Sequence, residues 1–211
     1  ARELVDDLQY IEHGGFDLQR LIDDLLDLAQ AEAGVLQLHK QRSDPKQLID
    51  EIFVTAARTW AADTHVRWRL QLPAQLPSVF VDPVRLRNAL VNLLDNAAKH
   101  TERGQIVLGA ERLESRLHVW VQDTGCGMAP ETLLSVRRNM MHGVGASSLR
   151  SVDTERLGLG LAIAYYVISL HGGDLQIDSS EGRGTTCHLF LPFADESLAQ
   201  GADGGDGTIL H

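Results

Sequence analysis

"ALVNLLDNAAKHT", residues 89–101, is the stretch whose reading decides this chain. It has the periodicity of a helix, yet it carries two asparagines four positions apart, and asparagine is a poor residue for a helix interior. At about 100° per residue, Asn92, Asn96 and Lys99 share a narrow arc, while Leu86, Leu90, Leu93, Leu94 and Ala97 gather on the opposite side. A side-chain amide oxygen is a hard ligand of the kind Mg²⁺ accepts, and an ammonium one turn away can meet phosphate oxygens bridged by the same ion. The trio suits a magnesium polyphosphate; standing alone, it equally suits a solvated helix face.

Working outward, "SVFVD" (78–82) reads as a short strand and Asp82-Pro83 as the cap and first residue of this helix. Before it, "SDPKQLIDEIFVTAARTWAA" (43–62) predicts a helix capped by Ser43 or Asp44 with Pro45 at its first position, and "HVRWRLQLP" (65–73) alternates as a strand does. After it, "GQIVLGAERLESRLHVWVQDTG" (104–125) predicts two strands about a turn near Glu114-Ser115. Residues 131–157 read as a short helix and then a mobile loop. "GLGLAIAYYVISLHGG" (158–173) is apolar nearly all round, hence a buried helix ended by Gly172-Gly173, and "DLQIDSS" with "TTCHLFLP" makes a hairpin. The expected fold is α/β, a two-layer sandwich with a largely antiparallel sheet covered by helices on one face.

Residues 6–33 contain no proline and repeat Leu18, Leu21, Leu25 and Leu28 opposite Asp17, Arg20, Asp23, Asp24 and Asp27. They predict a long helical stalk closed by Gly34, whose apolar stripe needs a second copy or an upstream helix to cover it. Three units are expected: the stalk at 1–42, a globular domain at 43–194, and a flexible linker at 195–211, of which "GADGGDG" is the clearest part.

The 211 residues are 44 % hydrophobic and 23 % charged, an ordinary soluble composition. The formal charge of −10 comes without a basic run, so a nucleic-acid partner is not expected. No apolar run approaches a membrane helix and no signal peptide opens the chain, so no membrane contact is expected in this stretch, although upstream segments could attach a parent protein to the inner membrane. Cys126 and Cys187 lack metal-ligand spacing and fit reduced thiols in the cytoplasm.

Three further motifs follow the opening helix. "VQDTGCGM" sets Asp123 at a strand end before Gly125 and Gly127, a pattern that lets backbone approach a flat ligand while the carboxylate accepts a hydrogen bond from an amino-bearing base; alone it is also an ordinary turn. "RLGLGLAI" places Gly158 and Gly160 before a helix, where exposed amides favour phosphate. "EGRGTTCHLFLP" puts Gly182 and Gly184 before a strand, as a plain hairpin also would.

In this order the four elements resemble the ATP-binding domain of sensor histidine kinases, within the gyrase, Hsp90, kinase and MutL ATPase superfamily. "NLLDNAAKHT" is similar to the N box, "DTGCGM" to the G1 box, "GLGLAI" to the G2 box and "GRGTTCHLFLP" to the G3 segment, while "LHGGDL" is a kinase-flavoured phrase. "LIDDLLDLAQAEAG" resembles the second helix of the dimerisation and histidine phosphotransfer bundle. The resemblance implies a Bergerat-type fold binding ATP and Mg²⁺, and transfer of the γ-phosphoryl group to a histidine. It implies Asn96 as the metal ligand and, with Lys99, a catalytic residue, with Asn92 and Lys99 at the phosphates. Asp123 would receive the adenine amino group, Gly125 and Gly127 line the base pocket, Gly158 and Gly160 contact phosphate, and Thr186 lie beside Asp123. The implied partners are a second copy through the helical bundle and a response regulator or internal receiver domain, toward which "GTILH" (207–211) points.

The chain also departs from the pattern. Nothing before Tyr10 matches the acceptor histidine's context, and His13 lacks it, so this chain is expected to bind nucleotide without phosphorylating itself. Arg156 stands where the first G2 glycine is usual, and "VRRNMMHGVG" replaces a phenylalanine-rich stretch, so Arg137, Arg138 and Arg156 either reach phosphates or are solvated, and Met140 and Met141 pack the lid. The rival readings are a degenerate, non-catalytic regulatory module that binds a partner kinase, and an ATP-gated clamp of the chaperone or mismatch-repair type.

Overall fold

A computed structural model describes Leu26, Gln30 and residues 36–60, 65–142 and 159–194 of the chain. Apart from Leu26, Gln30 and residues 36–42, the expected stalk unit lies outside these residues, as do His13, residues 143–158 with Arg156 and Gly158, and the expected linker at 195–211.

Strand β1 (Gln41–Ser43) leads into helix α1 (Pro45–Trp60), followed by β2 (Val66–Gln71), β3 (Val79–Val81) and helix α2 (Pro83–His100). Then come β4 (Gly104–Arg112), β5 (Arg116–Asp123), α3 (Pro130–His142), α4 (Leu159–Leu170), β6 (Asp174–Ser180) and β7 (Gly184–Pro192). The main sheet has the order β2-β4-β5-β7-β6, with β2 parallel to β4 and the remaining pairs antiparallel.

Period-two alternation selects one face of this sheet as the core face. Ile106, Leu108 and Ala110 on β4, Leu117, Val119 and Val121 on β5, Leu175 and Ile177 on β6, and Leu189 and Leu191 on β7 are all buried. The helices cover them: α4 packs along α2, with α1 beyond α2 and α3 beside α4. As its all-round apolar sequence requires, α4 is central, with Leu161 through Ala164, Val167 and Ile168 buried. Each such side chain taken fully out of water contributes roughly 1.5–3 kcal/mol of transfer free energy. The α/β sandwich read from the sequence is thus the observed one.

Two details differ, and one alternative is resolved. β3 does not join the main sheet; it pairs antiparallel with β1, a three-residue strand too short to carry a periodic signal. That strand begins before the domain boundary expected at residue 43, and Ser43 is its last residue. The cap of α1 is therefore Asp44, whose Oδ1 accepts from the Lys46 amide at 2.8 Å.

Candidate functional site

Helix α2 is the hub of the site. Asp82 caps it through Oδ1, which accepts from the Val84 and Arg85 amides at 3.1 Å each, and Pro83 opens it with a ring that needs no partner for an amide. Its apolar stripe (Leu86, Ala89, Leu90, Leu93, Leu94, Ala97) is buried, which fixes the rotation of the polar face. On that face Asn92 is only 5 % exposed, Asn96 is half-buried and Lys99 is exposed.

The burial of Asn92 is informative because its Nδ2 has no hydrogen-bond partner among the described residues, and neither has Oγ1 of the buried Thr101 that ends the helix. A buried polar atom without a partner is costly unless something outside the chain supplies one. The neighbouring element is the first turn of α4: a Cβ at Gly160 would stand 3.3 Å from Asn92 Cβ and 3.6 Å from its Nδ2. Gly160, in the stretch that resembles the G2 box, thus lies against Asn92.

Lys99 has a structural neighbour the sequence reading overlooked. Its ammonium lies 3.2 Å from Oδ2 of Asp95, one turn back and buried at 3 %. The signal was legible as an Asp-to-Lys spacing of four.

Asp123 ends β5 on the core face and is 7 % exposed. Its Oδ1 accepts from the amides of Gly125 at 2.8 Å and Thr185 at 3.2 Å. Burial pushes its carboxyl above the usual range, against the pull of those two amides and of His100. Both amide bonds fall on Oδ1, so Oδ2 is the oxygen left to accept from an amino group.

The glycines around Asp123 are crowded by the chain itself. A Cβ on Gly125 would meet the His100 carbonyl oxygen at 2.0 Å, and one on Gly127 would meet the Ser180 carbonyl oxygen at 2.0 Å. Hydrogen bonds hold both approaches: Cys126 N donates to His100 O at 3.2 Å and Gly182 N to Cys126 O at 2.7 Å. The loop 123–128 is clamped between the end of α2 and the β6–β7 turn.

Thr186 is a correction. It pairs with Gln122, so alternation turns it to the face away from the helices, while Thr185 shares the core face with Asp123 and binds it through its amide. The Thr185 hydroxyl joins Ser179 at 3.0 Å, and Ser179 also receives the Met128 amide at 2.9 Å. Arg137 is committed elsewhere, donating to Ile177 O and lying 3.5 Å from Asp178. Met140 is buried in the domain core. Arg138 is exposed, and Gly158 lies outside the described residues.

Cys126 and Cys187 are both free thiols. Burial, reinforced by the charge of Asp123, pushes the Cys187 thiol up to about 12, whereas Cys126 is exposed.

The residues present fit an adenine nucleotide with Mg²⁺. On this face of α2 the side-chain amide oxygens of Asn92 and Asn96 can serve a cation and the Lys99 ammonium, already beside Asp95, can serve only anions, and no group of three or more His, Cys, Asp or Glu side chains among the described residues could cage a metal. A cation would then share its shell with phosphate and water, the usual habit of Mg²⁺.

A family model described as histidine kinase-, DNA gyrase B- and HSP90-like ATPase matches residues 81–195, a span that includes α2, the loop after β5, and β7. The circadian input-output histidine kinase CikA of Thermosynechococcus vestitus is 34 % identical over 193 residues, covering 90 % of this chain and 26 % of the relative. The adaptive-response sensory kinase SasA of the same organism is 33 % identical over 194 residues, covering 89 % and 50 %. The chain thus spans between about a quarter and a half of these relatives. Among solved structures, full-length ShkA in complex with AMPPNP superposes with a TM-score of 0.71 at 27 % identity, over 86 % of this chain and 37 % of that one. The chain belongs to the histidine kinase-, DNA gyrase B- and HSP90-like ATPase family, and its domain is the ATP-binding domain of a histidine kinase.

Proposed function

We propose that this chain is the catalytic region of a two-component sensor histidine kinase, moving the γ-phosphoryl group of Mg-ATP to a histidine on a dimerisation helix. The observation that carries the reading is the buried Asn92, whose Nδ2 has no hydrogen-bond partner among the described residues, on the helix face it shares with Asn96 and Lys99 and against Gly160. Asn96 supplies the oxygen for Mg²⁺, Asn92 and Lys99 meet the phosphates, and Gly158 and Gly160 bring backbone amides to them. Asp123 accepts from the adenine amino group, with Gly125 and Gly127 shaping the loop beneath the base. Bound Mg²⁺ would neutralise charge on the transferring phosphoryl group; the residues of α2 hold and orient it.

As proposals beyond the domain, the intact protein is a cytoplasmic-facing homodimer through the stalk bundle and passes phosphate to a response regulator or an attached receiver domain. No helix among the described residues is long and apolar enough to cross a membrane.

Titration of Mg-ADP into the chain by calorimetry tests the reading. Magnesium-dependent heat that Asn96→Ala abolishes is expected. Silence at millimolar nucleotide from a chain with an intact circular dichroism spectrum would favour the regulatory module instead.

A further inference from the structure

Three segments are hydrogen-bonded at Asp82, at the opposite end of α2 from Lys99. Its Oδ1 caps α2, while Oδ2 accepts at 2.9 Å from the backbone amide of His39, in the non-helical segment 36–40 ahead of β1, here called the stalk linker. Its own amide donates at 2.8 Å to Nε2 of His171, which is 3 % exposed at the end of α4. His171 Nδ1 therefore carries the ring proton and donates to Val167 O at 2.7 Å. One residue along the linker, Lys40 Nζ donates to Leu170 O at 2.9 Å. The linker is thus fastened at two consecutive residues, once to the start of the helix bearing the asparagines and once to the end of the helix that begins against Asn92.

A groove of about 570 Å³ opens beside the junction, lined by Leu26, Gln30, His39 and Val84 among others. Asp82 is 4 % exposed, and if the linker leaves, Oδ2 loses the His39 amide while Oδ1 keeps those of Val84 and Arg85.

We propose that Asp82 is a positioning residue that couples the stalk linker to the nucleotide helix: one oxygen sets the start of α2 and the other pins His39, so linker docking and nucleotide binding on α2 favour each other. The coupling rests on the nucleotide reading above; the pinning of the linker does not. Because coupling is reciprocal, a nucleotide that tightens α2 also tightens the linker, and a movement of the stalk that frees the linker loosens the nucleotide helix.

Asparagine separates the two jobs. Asp82→Asn keeps an excellent cap, since its single amide oxygen serves Val84 and Arg85, but turns an NH₂ group toward the His39 N–H. Residue-resolved amide exchange, with and without saturating Mg-ADP, is the measurement, alongside thermal unfolding. In Asp82→Asn the His39 amide is expected to exchange on the order of tenfold faster, with a melting temperature within about 2 °C of the parent. In the unaltered chain Mg-ADP is expected to slow that amide about fivefold, and in the variant not at all. Asp82→Ser, a good cap with one oxygen, carries the same test should the asparagine variant not fold. Unchanged His39 exchange in these variants overturns the pinning. Mg-ADP heat without slowing at His39 overturns the coupling while leaving the nucleotide site intact, and no heat at all removes the nucleotide reading and the coupling with it.

Discussion

Replacing Gly125 by alanine asks what the first glycine after Asp123 is for. The new Cβ would stand 2.0 Å from the His100 carbonyl oxygen and 2.8 Å from its carbon, atoms of backbone that cannot rotate aside. An ordinary C···O contact is about 3.3 Å, so the loop must withdraw from α2 by roughly 1.3 Å. That displacement breaks the 3.2 Å bond from Cys126 N to His100 O. Overpacking costs about 1–3 kcal/mol and the lost bond about 1 kcal/mol, roughly 2–4 kcal/mol together. For a domain of this size the melting temperature should fall by about 5–15 °C. Gly182→Ala is the control: nothing lies within 4 Å of its Cβ, but φ is +73°, so only the left-handed backbone resists, at about 1–2 kcal/mol. Thermal unfolding followed by circular dichroism without nucleotide should therefore rank Gly125→Ala well below Gly182→Ala. If Gly125→Ala instead melts within about 2 °C of the parent yet loses Mg-ADP binding, the glycine serves the ligand directly and the clamp argument is wrong.

Asp123→Asn should separate stability from function: both amides can still bond to its oxygen, and the raised carboxyl pKa means that ionised Asp123 costs folding stability above that pKa. Its melting temperature at neutral pH should equal or exceed the parent's while calorimetry shows Mg-ADP binding weakened on the order of tenfold or more. Burial depresses His171, outweighing its bond to Val167 and the nearby Asp82 charge, so the unfolded chain binds the extra proton first. Stability from this group is complete above its unfolded value near 6.5 and is lost as pH falls below it, toward the lowered folded value. Melting curves taken across that window should show a slope that His171→Ala reduces. Asp82 acts lower: burial would raise its carboxyl, but the Arg85, His39 and Val84 amides hold it down, so its contribution is lost only below 3.8. With two cysteines in the chain, a thiol reagent should label one per folded molecule, at exposed Cys126, and two after denaturation, counted by mass spectrometry.

Local chemistry was legible where cause and effect are close in sequence. Asp82-Pro83 announced the start of α2, and the apolar stripe announced which side Asn92, Asn96 and Lys99 would take, because cap and period are properties of one helix. Thr185 was legible in principle: Leu189 and Leu191 face the core, and counting back by twos from them lands on residue 185, not 186. What could not be read is contact across long separations. The β1–β3 pairing joins strands about forty residues apart, and the Asp82–His171 bond spans 89 residues, so no periodicity or spacing encodes either.

The glycines show the same boundary from the other side. D-x-G-x-G states that something must come close at Gly125 and Gly127, but not what. In the fold the approaching groups are the carbonyls of His100 and Ser180, so the loop holding Asp123 is built onto the end of α2 and the β6–β7 turn. In the proposed nucleotide reading, a ligand bound by Asp123 at one end and by Asn92 and Asn96 at the other is held by parts joined through His100. That is why a linker fastened at Asp82, the N-cap of the same helix, is well placed to act on the whole site.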